Sequence, residues 1–396
     1  MLKNIMINII YGLLIVDGGL FFSLLLRKIY WQHMKKKYEE KYHEYITSVD
    51  KYIGEDGKRS FSSPGSRLDR KVLKNILFEY LIYSTGDTKE KIIEIAHCTG
   101  IVEMELKRVR KKQWWNQAIG AYYLGLMKVE EAIPSLLRLL TSPRNDVRYV
   151  SAEALIRITG TGKLDFIIEK VYEKHGNYKK QLLSLIESIE EDIYDDMERL
   201  VRKENTDFLV IALTALGQRM DSRVVNWIQK YVKHSDQEVR IAALKAAKYM
   251  GDIGEDGYYA LLVSLKNDNS WEVRSFLAKV LGSFLRQESR EILKEMMQDE
   301  NWQVRYNAGN SLLQHQEMGL LALSEMLLCE DAFAQDRAWQ LISEEWMFHG
   351  LQERLRKEDT RISQQISQNI EQFVAEYKAG DGNGLELLGH RIYQTI

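Results

Sequence analysis

Three groupings along the chain hold residue types suited to binding or acid–base chemistry. Lys107-Arg108-Val109-Arg110-Lys111-Lys112 runs into Trp114-Trp115. Cations beside indole rings can hold lipid headgroups, a phosphate-bearing ligand or an acidic protein segment. The same run also fits a solvated helix end followed by two packed tryptophans. Glu187, Glu190, Glu191, Asp192, Asp195, Asp196 and Glu198 form an acidic cluster. It can dock a basic loop or a divalent cation, but it lacks the ligand spacing of a calcium loop and reads as a solvated surface. His97 beside Cys98 is the nearest approach to a nucleophile–base pair, and on a helix adjacent residues point in different directions. No GxxxxGK[ST], HExxH or GxSxG pattern occurs, and neither cysteine, Cys98 or Cys329, has a CxxC partner. No catalytic residue, metal or cofactor is therefore expected.

A recurring arginine is more informative. Asn145-Asp146-Val147-Arg148, Gln237-Glu238-Val239-Arg240, Trp271-Glu272-Val273-Arg274 and Trp302-Gln303-Val304-Arg305 each precede an alanine- and leucine-rich stretch. The arginines are 34 residues apart from 240 to 274, 31 from 274 to 305, and 92 from 148 to 240. That is one or three periods of about 31, the length of a helical hairpin in a stacked array. Only three prolines occur and no strand-like alternation persists, so the chain is expected to be all-α, an α-solenoid of about nine or ten hairpins. Alanines at matching places (Ala152, Ala154, Ala243, Ala246, Ala278, Ala308) allow close helix crossings. Asp146, Asp236, Asp268 and Asp299 stand where a carboxylate caps a helix start. Trp271 and Trp302 recur at one place in adjacent repeats, which suggests packing at the turn.

One transmembrane helix is expected ahead of the solenoid. From Ile5 to Leu26 the chain is apolar except for Asn8, Asp17 and Ser23, and about 20 such residues cross a hydrocarbon core. Leu24-Leu25-Leu26-Arg27-Lys28 offers no small-residue cleavage site, so the segment is expected to be retained as an anchor. Arg27, Lys28, Lys35, Lys36 and Lys37 crowd the C-terminal flank, with Tyr30 and Trp31 among them. The positive-inside rule then puts the solenoid in the cytoplasm, with the basic flank against anionic lipid. Asp17 stands near mid-span, where Gly19 and Ser23 offer small residues for a contact with another membrane protein; a protonated Asp17 tolerated in a simple anchor fits equally. The organisation read from the sequence is an anchor and basic flank over 1–28, a stalk and flexible linker over 29–70, the solenoid over 71–378 and a tail over 379–396. The linker rests on Gly54-Glu55-Asp56-Gly57, and the tail on the hinge Asp381-Gly382-Asn383-Gly384.

Leu136-Leu137-Arg138-Leu139-Leu140, then Asp146-Val147-Arg148, then Ala152-Glu153-Ala154-Leu155 together resemble a HEAT repeat. The similarity is good over 132–160 and 224–314. It implies that Arg148, Arg240, Arg274 and Arg305 form a structural ladder. It also implies that exposed second-helix residues, including Tyr149, Glu153, Lys245, Lys248, Lys279, Tyr306 and Asn310, line the binding face. The layout is similar to bacterial membrane-anchored HEAT-repeat proteins, some of which accompany membrane glycosyltransferases for exopolysaccharide. The function this implies is a non-catalytic scaffold with a protein partner, in particular a membrane protein. The alternatives are a HEAT-type enzyme or nucleic-acid binder using the inner face, and a self-assembling structural protein. The formal charge of -2 disfavours nucleic acid.

Overall fold

The structure, a computed structural model, describes residues 2–54, 61–172, 179–348, 350–358 and 360–379, with side chains described from Asp17 onward in the first helix. Of the expected tail over 379–396, residues 380–396 lie outside these, as do linker residues 55–60. The chain divides into two compact units, Met1–Tyr178 and Lys179–Ile396.

In the first unit the helices are α1 (Leu2–Gly54), α2 (Arg67–Tyr83), α3 (Gly86–Cys98), α4 (Ile101–Arg108), α5 (Trp114–Leu126), α6 (Ile133–Leu139), α7 (Asn145–Thr159) and α8 (Leu164–Tyr172). In the second they are α9 (Lys179–Glu187), α10 (Tyr194–Val201), α11 (Thr206–Gln218), α12 (Val224–Tyr231), α13 (Gln237–Met250), α14 (Asp256–Val263), α15 (Trp271–Leu281), α16 (Gln287–Met296), α17 (Trp302–Leu313), α18 (Gln316–Met326), α19 (Ala332–Phe348), α20 (Leu351–Glu358) and α21 (Arg361–Ala379). Among the described residues the chain is all helix and turn, as the periodicity predicts.

Successive helices pair as hairpins: α2/α3, α4/α5 and α6/α7 in the first unit, and α10/α11, α12/α13, α16/α17, α18/α19 and α20/α21 in the second. The helices α14 and α15 join through the short 3-10 turn Ser264–Asn267. Second helices then stack on one another, α5 on α7 and, in the second unit, α11 on α13, α13 on α15, α15 on α17 and α17 on α19. No single helix can bury its apolar stripe, so stacking turns the stripes into a ribbon-like core. All six marker alanines are buried in it.

One expectation about the N-terminal part changes. The stalk is not a free spacer. Residues 38–54 continue α1 and pack against α2 and α3. Val49 and Tyr52 are buried, Asn75 donates to the Tyr38 hydroxyl at 3.0 Å, Tyr42 donates to Glu79 at 2.9 Å, and Lys91 donates to the Ile53 carbonyl at 3.1 Å. Burial, helped by a hydrogen bond to Asp50, pushes the Tyr80 hydroxyl up to about 12. Apolar and aromatic residues every three or four positions along the stalk drive this docking. The α2 start is fixed by a capping box, in which Ser66 Oγ accepts from the Asp69 amide and the Asp69 carboxylate accepts from the Ser66 amide.

Among the described residues no helix is long and apolar enough to cross a membrane. The expected span, Ile5 to Leu26, lies partly outside them, since the side chains of 5–16 are not described. From Leu20 to Trp31 the large apolar and aromatic side chains of α1 are exposed, Phe21 by 70%.

Candidate interaction face and its supporting ladders

The recurring arginines support the fold. Each donates to the backbone carbonyl six residues earlier: Arg148 to Ser142, Arg240 to His234 (2.9 Å), Arg274 to Asp268 (2.7 Å) and Arg305 to Asp299 (2.8 Å). This ties the turn to the second helix it starts. Among the described residues, Arg240 and Arg274 also reach the next repeat. Arg240 pairs with Asp268 at 2.8 Å, and Arg274 holds Asp299 through two nitrogens at 2.7 and 2.9 Å. Arg305 has Phe333 in the corresponding place, its guanidinium 4.7 Å from the ring centroid. Arg148 is almost wholly buried and also donates to Asn145 at 2.6 Å.

The turn aspartates thereby depart from their expected role. Only Asp236 caps its helix, accepting from the Glu238 amide at 2.7 Å. Asp146 sits inside the first turn of α7. At α15 and α17 the cap is Ser270 and Asn301. Asp268 and Asp299 stand two residues earlier, where each accepts the amide of the cap residue and the guanidinium of the preceding repeat. A carboxylate has enough acceptor sites to serve both.

A second ladder runs at the first-helix starts. Arg223, at the N-cap of α12, reaches back to Asp192 (2.7 Å), holds Asp221 (2.6 Å) and lies 4.2 Å from the Tyr194 ring centroid. Arg286, at the N-cap of α16, reaches back to Asp252 (2.6 and 2.7 Å) and lies 4.6 Å from the Tyr259 ring. Arg219 donates to the carbonyls of Ile189 and Glu191, at 2.6 Å each. The hydrogen bonds from Arg223 hold the carboxyls of Asp192 and Asp221 below the usual range, and Arg286 does the same for Asp252. Within the acidic cluster Asp192 is thus tied into the array, and Asp196 is buried against Arg199 at 2.5 Å. Among the described residues no group of three or more His, Cys, Asp or Glu is placed to hold a metal ion. The legible signal for this ladder was an arginine directly before each of two first helices.

The second-helix face is where the remaining candidates gather. Lys245 on α13 and Lys279 on α15 both stand 4.9 Å from the ring centroid of Phe276, one from each side in sequence. Lys248 is exposed beside them. On the following helices Arg337 lies 4.2 Å from the Tyr306 ring and donates to Asn310 at 2.8 Å. Trp302 meets Tyr306 edge-on at 6.4 Å and is 64% exposed. Among the described residues Lys245, Lys248, Lys279 and Arg337 have no carboxylate at ion-pair distance. Burial pulls the Arg337 guanidinium below the usual arginine value. Tyr149 and Glu153 belong to the first unit instead, where Glu153 pairs with Arg157 at 2.7 Å. The sequence reading missed Phe276 and Arg337. Trp271 and Trp302, expected in the packing, are exposed, and the turns before them are closed by arginine–carbonyl bonds instead.

Residues 197–275 and 259–339, within the second unit, match the family model for HEAT repeats. No curated protein matches the sequence. Among solved structures, an engineered protein is 16% identical, with 82% of this chain and 98% of that one covered and a TM-score of 0.34. Human deoxyhypusine hydroxylase is 16% identical, with 77% and 96% covered and a TM-score of 0.26. Kap121p is 12% identical, with 79% and 47% covered and a TM-score of 0.33.

Proposed function

We propose that the chain is a non-catalytic scaffold held in the cell membrane by residues 5–26, with its helical repeats in the cytoplasm. The second-helix face of the second unit docks an acidic segment of a protein partner. The observation that carries this reading is the placement of Lys245, Lys279 and Arg337 over the rings of Phe276 and Tyr306 with no carboxylate to neutralise them. Cations already held over aromatic rings are partly desolvated and positioned, so an incoming carboxylate meets less ordering cost. The anchor rests on the apolar run Ile5 to Leu26 and the basic flank Arg27, Lys28, Lys35, Lys36 and Lys37. A tether of this kind raises the local concentration of a membrane partner, so a weak contact suffices. The resemblance to anchored repeat proteins points to a membrane glycosyltransferase complex of the bacterial envelope or exopolysaccharide as the partner.

The test is affinity purification from detergent-solubilised native membranes, comparing the full-length protein, a copy lacking residues 1–26, and Lys245→Glu/Lys279→Glu. One membrane enzyme should accompany the full-length protein, and its recovery should fall by about tenfold or more on the double charge reversal. Recovery untouched by the reversal would move the contact off this face. Loss only on removal of residues 1–26 would assign it to the anchor, where Asp17, Gly19 and Ser23 stand.

A further inference from the structure

The turn between α4 and α5 is assigned no work by the scaffold reading, yet its composition and exposure are unusual. Five consecutive residues, Lys111, Lys112, Gln113, Trp114 and Trp115, are exposed. The two indoles, 39% and 51% exposed, meet edge-on with centroids 6.1 Å apart. Burial of a tryptophan is worth more than that of any other side chain, so a soluble surface gains nothing from leaving two side by side in water. Packing within the first unit, the plain sequence reading of this pair, covers only part of them: Trp114 stays 39% and Trp115 51% exposed.

The turn is also preorganised. Gln117 donates to the Lys111 carbonyl at 2.9 Å, Arg108 donates to Asn116 at 3.1 Å, and the Arg144 guanidinium lies 4.6 Å from the Trp114 ring centroid. Lys111 and Lys112 have no carboxylate at ion-pair distance among the described residues. Fixed, adjacent, water-exposed indoles with free lysines before them have the make-up of a bilayer-interface contact: the rings sit at headgroup depth with their N–H groups toward water, and the lysines meet anionic headgroups. An acidic protein segment would satisfy the lysines but would leave an unpocketed pair of tryptophans without a matching cavity.

We propose that the 111–115 turn, with Arg144, is a second membrane contact of this chain and binds the headgroup region of an anionic lipid surface. This rests on the membrane reading above and places the first unit against the bilayer that α1 enters.

The experiment is amide hydrogen exchange on the full-length protein in detergent, in nanodiscs of neutral phosphatidylcholine, and in nanodiscs with anionic phosphatidylglycerol. Exchange over residues 111–117 should slow by about tenfold or more in the anionic discs relative to detergent. The effect should be smaller in neutral discs and absent in Trp114→Ala/Trp115→Ala, while α7 keeps its protection as the control for folding. Lys111→Glu/Lys112→Glu should lose the difference between anionic and neutral discs. Equal exchange of the turn in all three environments, with residues 5–26 protected, overturns the proposal and leaves the anchor standing. Exchange-competent residues 5–26 in discs would instead remove the anchor. The turn is then tested by adding the protein to preformed anionic vesicles, where protection of 111–117 supports the contact and its absence overturns it. Equal protection by polyglutamate without lipid also overturns it, in favour of an acidic protein.

Discussion

Gly217 of α11 lies so close to Ala246 of α13 that a Cβ on the glycine would stand 2.6 Å from the Ala246 Cα. Gly125 of α5 meets Ala154 of α7 with the same 2.6 Å. The matching glycine–alanine pair is therefore a repeated device that lets consecutive second helices cross at backbone contact.

Replacement of Gly217 by alanine should destabilise the second unit by about 1–3 kcal/mol, because the contact is with backbone that cannot rotate away. Gly125→Ala should do the same to the first. Urea unfolding followed by limited proteolysis separates the two, and a loss confined to the unit carrying the substitution is the expected outcome.

The ladder arginines should not be equivalent. Arg274→Ala strands Asp299, whose side chain is 11% exposed, and removal of one partner from a buried pair costs about 3–5 kcal/mol, taken toward the low end for a pair still touched by water. Arg305→Ala breaks carbonyl bonds and a ring contact but strands no carboxylate, and should cost less, about 1–2 kcal/mol. Equal denaturation midpoints for the two variants would contradict the forward pairing of Arg274.

Glu105 gives the first unit an unusual pH response. Its side chain has no exposed surface, and Arg108 and Lys74 approach only to 3.5 and 3.9 Å. Burial raises its carboxyl above the ordinary glutamate value, opposed by Arg108 and Lys74, and burial lowers Lys74. A carboxyl raised by folding contributes its full stability below the ordinary glutamate range and loses it as pH rises through the raised value. Glu105→Gln should therefore melt higher than wild type near pH 8 and together with it near pH 4. Thermal melts at both values decide this.

The backward ladder carries the opposite sign. Arg286 holds the Asp252 carboxyl below its ordinary value, so its contribution is present above the ordinary aspartate range and disappears as pH falls through the depressed value. Asp252→Asn should lower stability of the second unit at neutral pH and leave a shallower acid limb. An unchanged acid limb, followed by tryptophan fluorescence, would mean the pair is not coupled to folding.

Asp17 offers a test within the membrane reading. Asp17→Leu should leave insertion intact, judged by resistance to carbonate extraction, and reduce co-purification of the membrane partner. Unchanged recovery would make Asp17 a tolerated carboxyl in a simple anchor.

Much of the fold was readable because helix and repeat are local and periodic. Hydrophobic spacing, the Val-Arg recurrence and the scarcity of proline are carried by residues a few positions apart, and the resemblance to a HEAT repeat implied a ladder of these arginines before any partner was known. The candidate face was half readable: helical phase picked out Lys245, Lys279, Tyr306 and Asn310, but not Phe276 beneath the lysines or Arg337 over the tyrosine. Lys245 with Phe276 and Arg337 with Tyr306 each join residues 31 positions apart, at distances set by how hairpins stack.

The same reason separates the two kinds of knowledge elsewhere. Residue types and their spacing determined that this chain is a stack of helical hairpins behind an apolar N-terminal run. Only tertiary structure decided that Asp268 and Asp299 answer the arginines of the preceding repeat rather than cap helices, that Arg223 and Arg286 reach backward, that the stalk packs into the first unit, and that Trp114 and Trp115 face solvent. Whether a side chain is a cap, a rung or a surface depends on what the neighbouring repeat places beside it, and that is a property of packing rather than of local sequence.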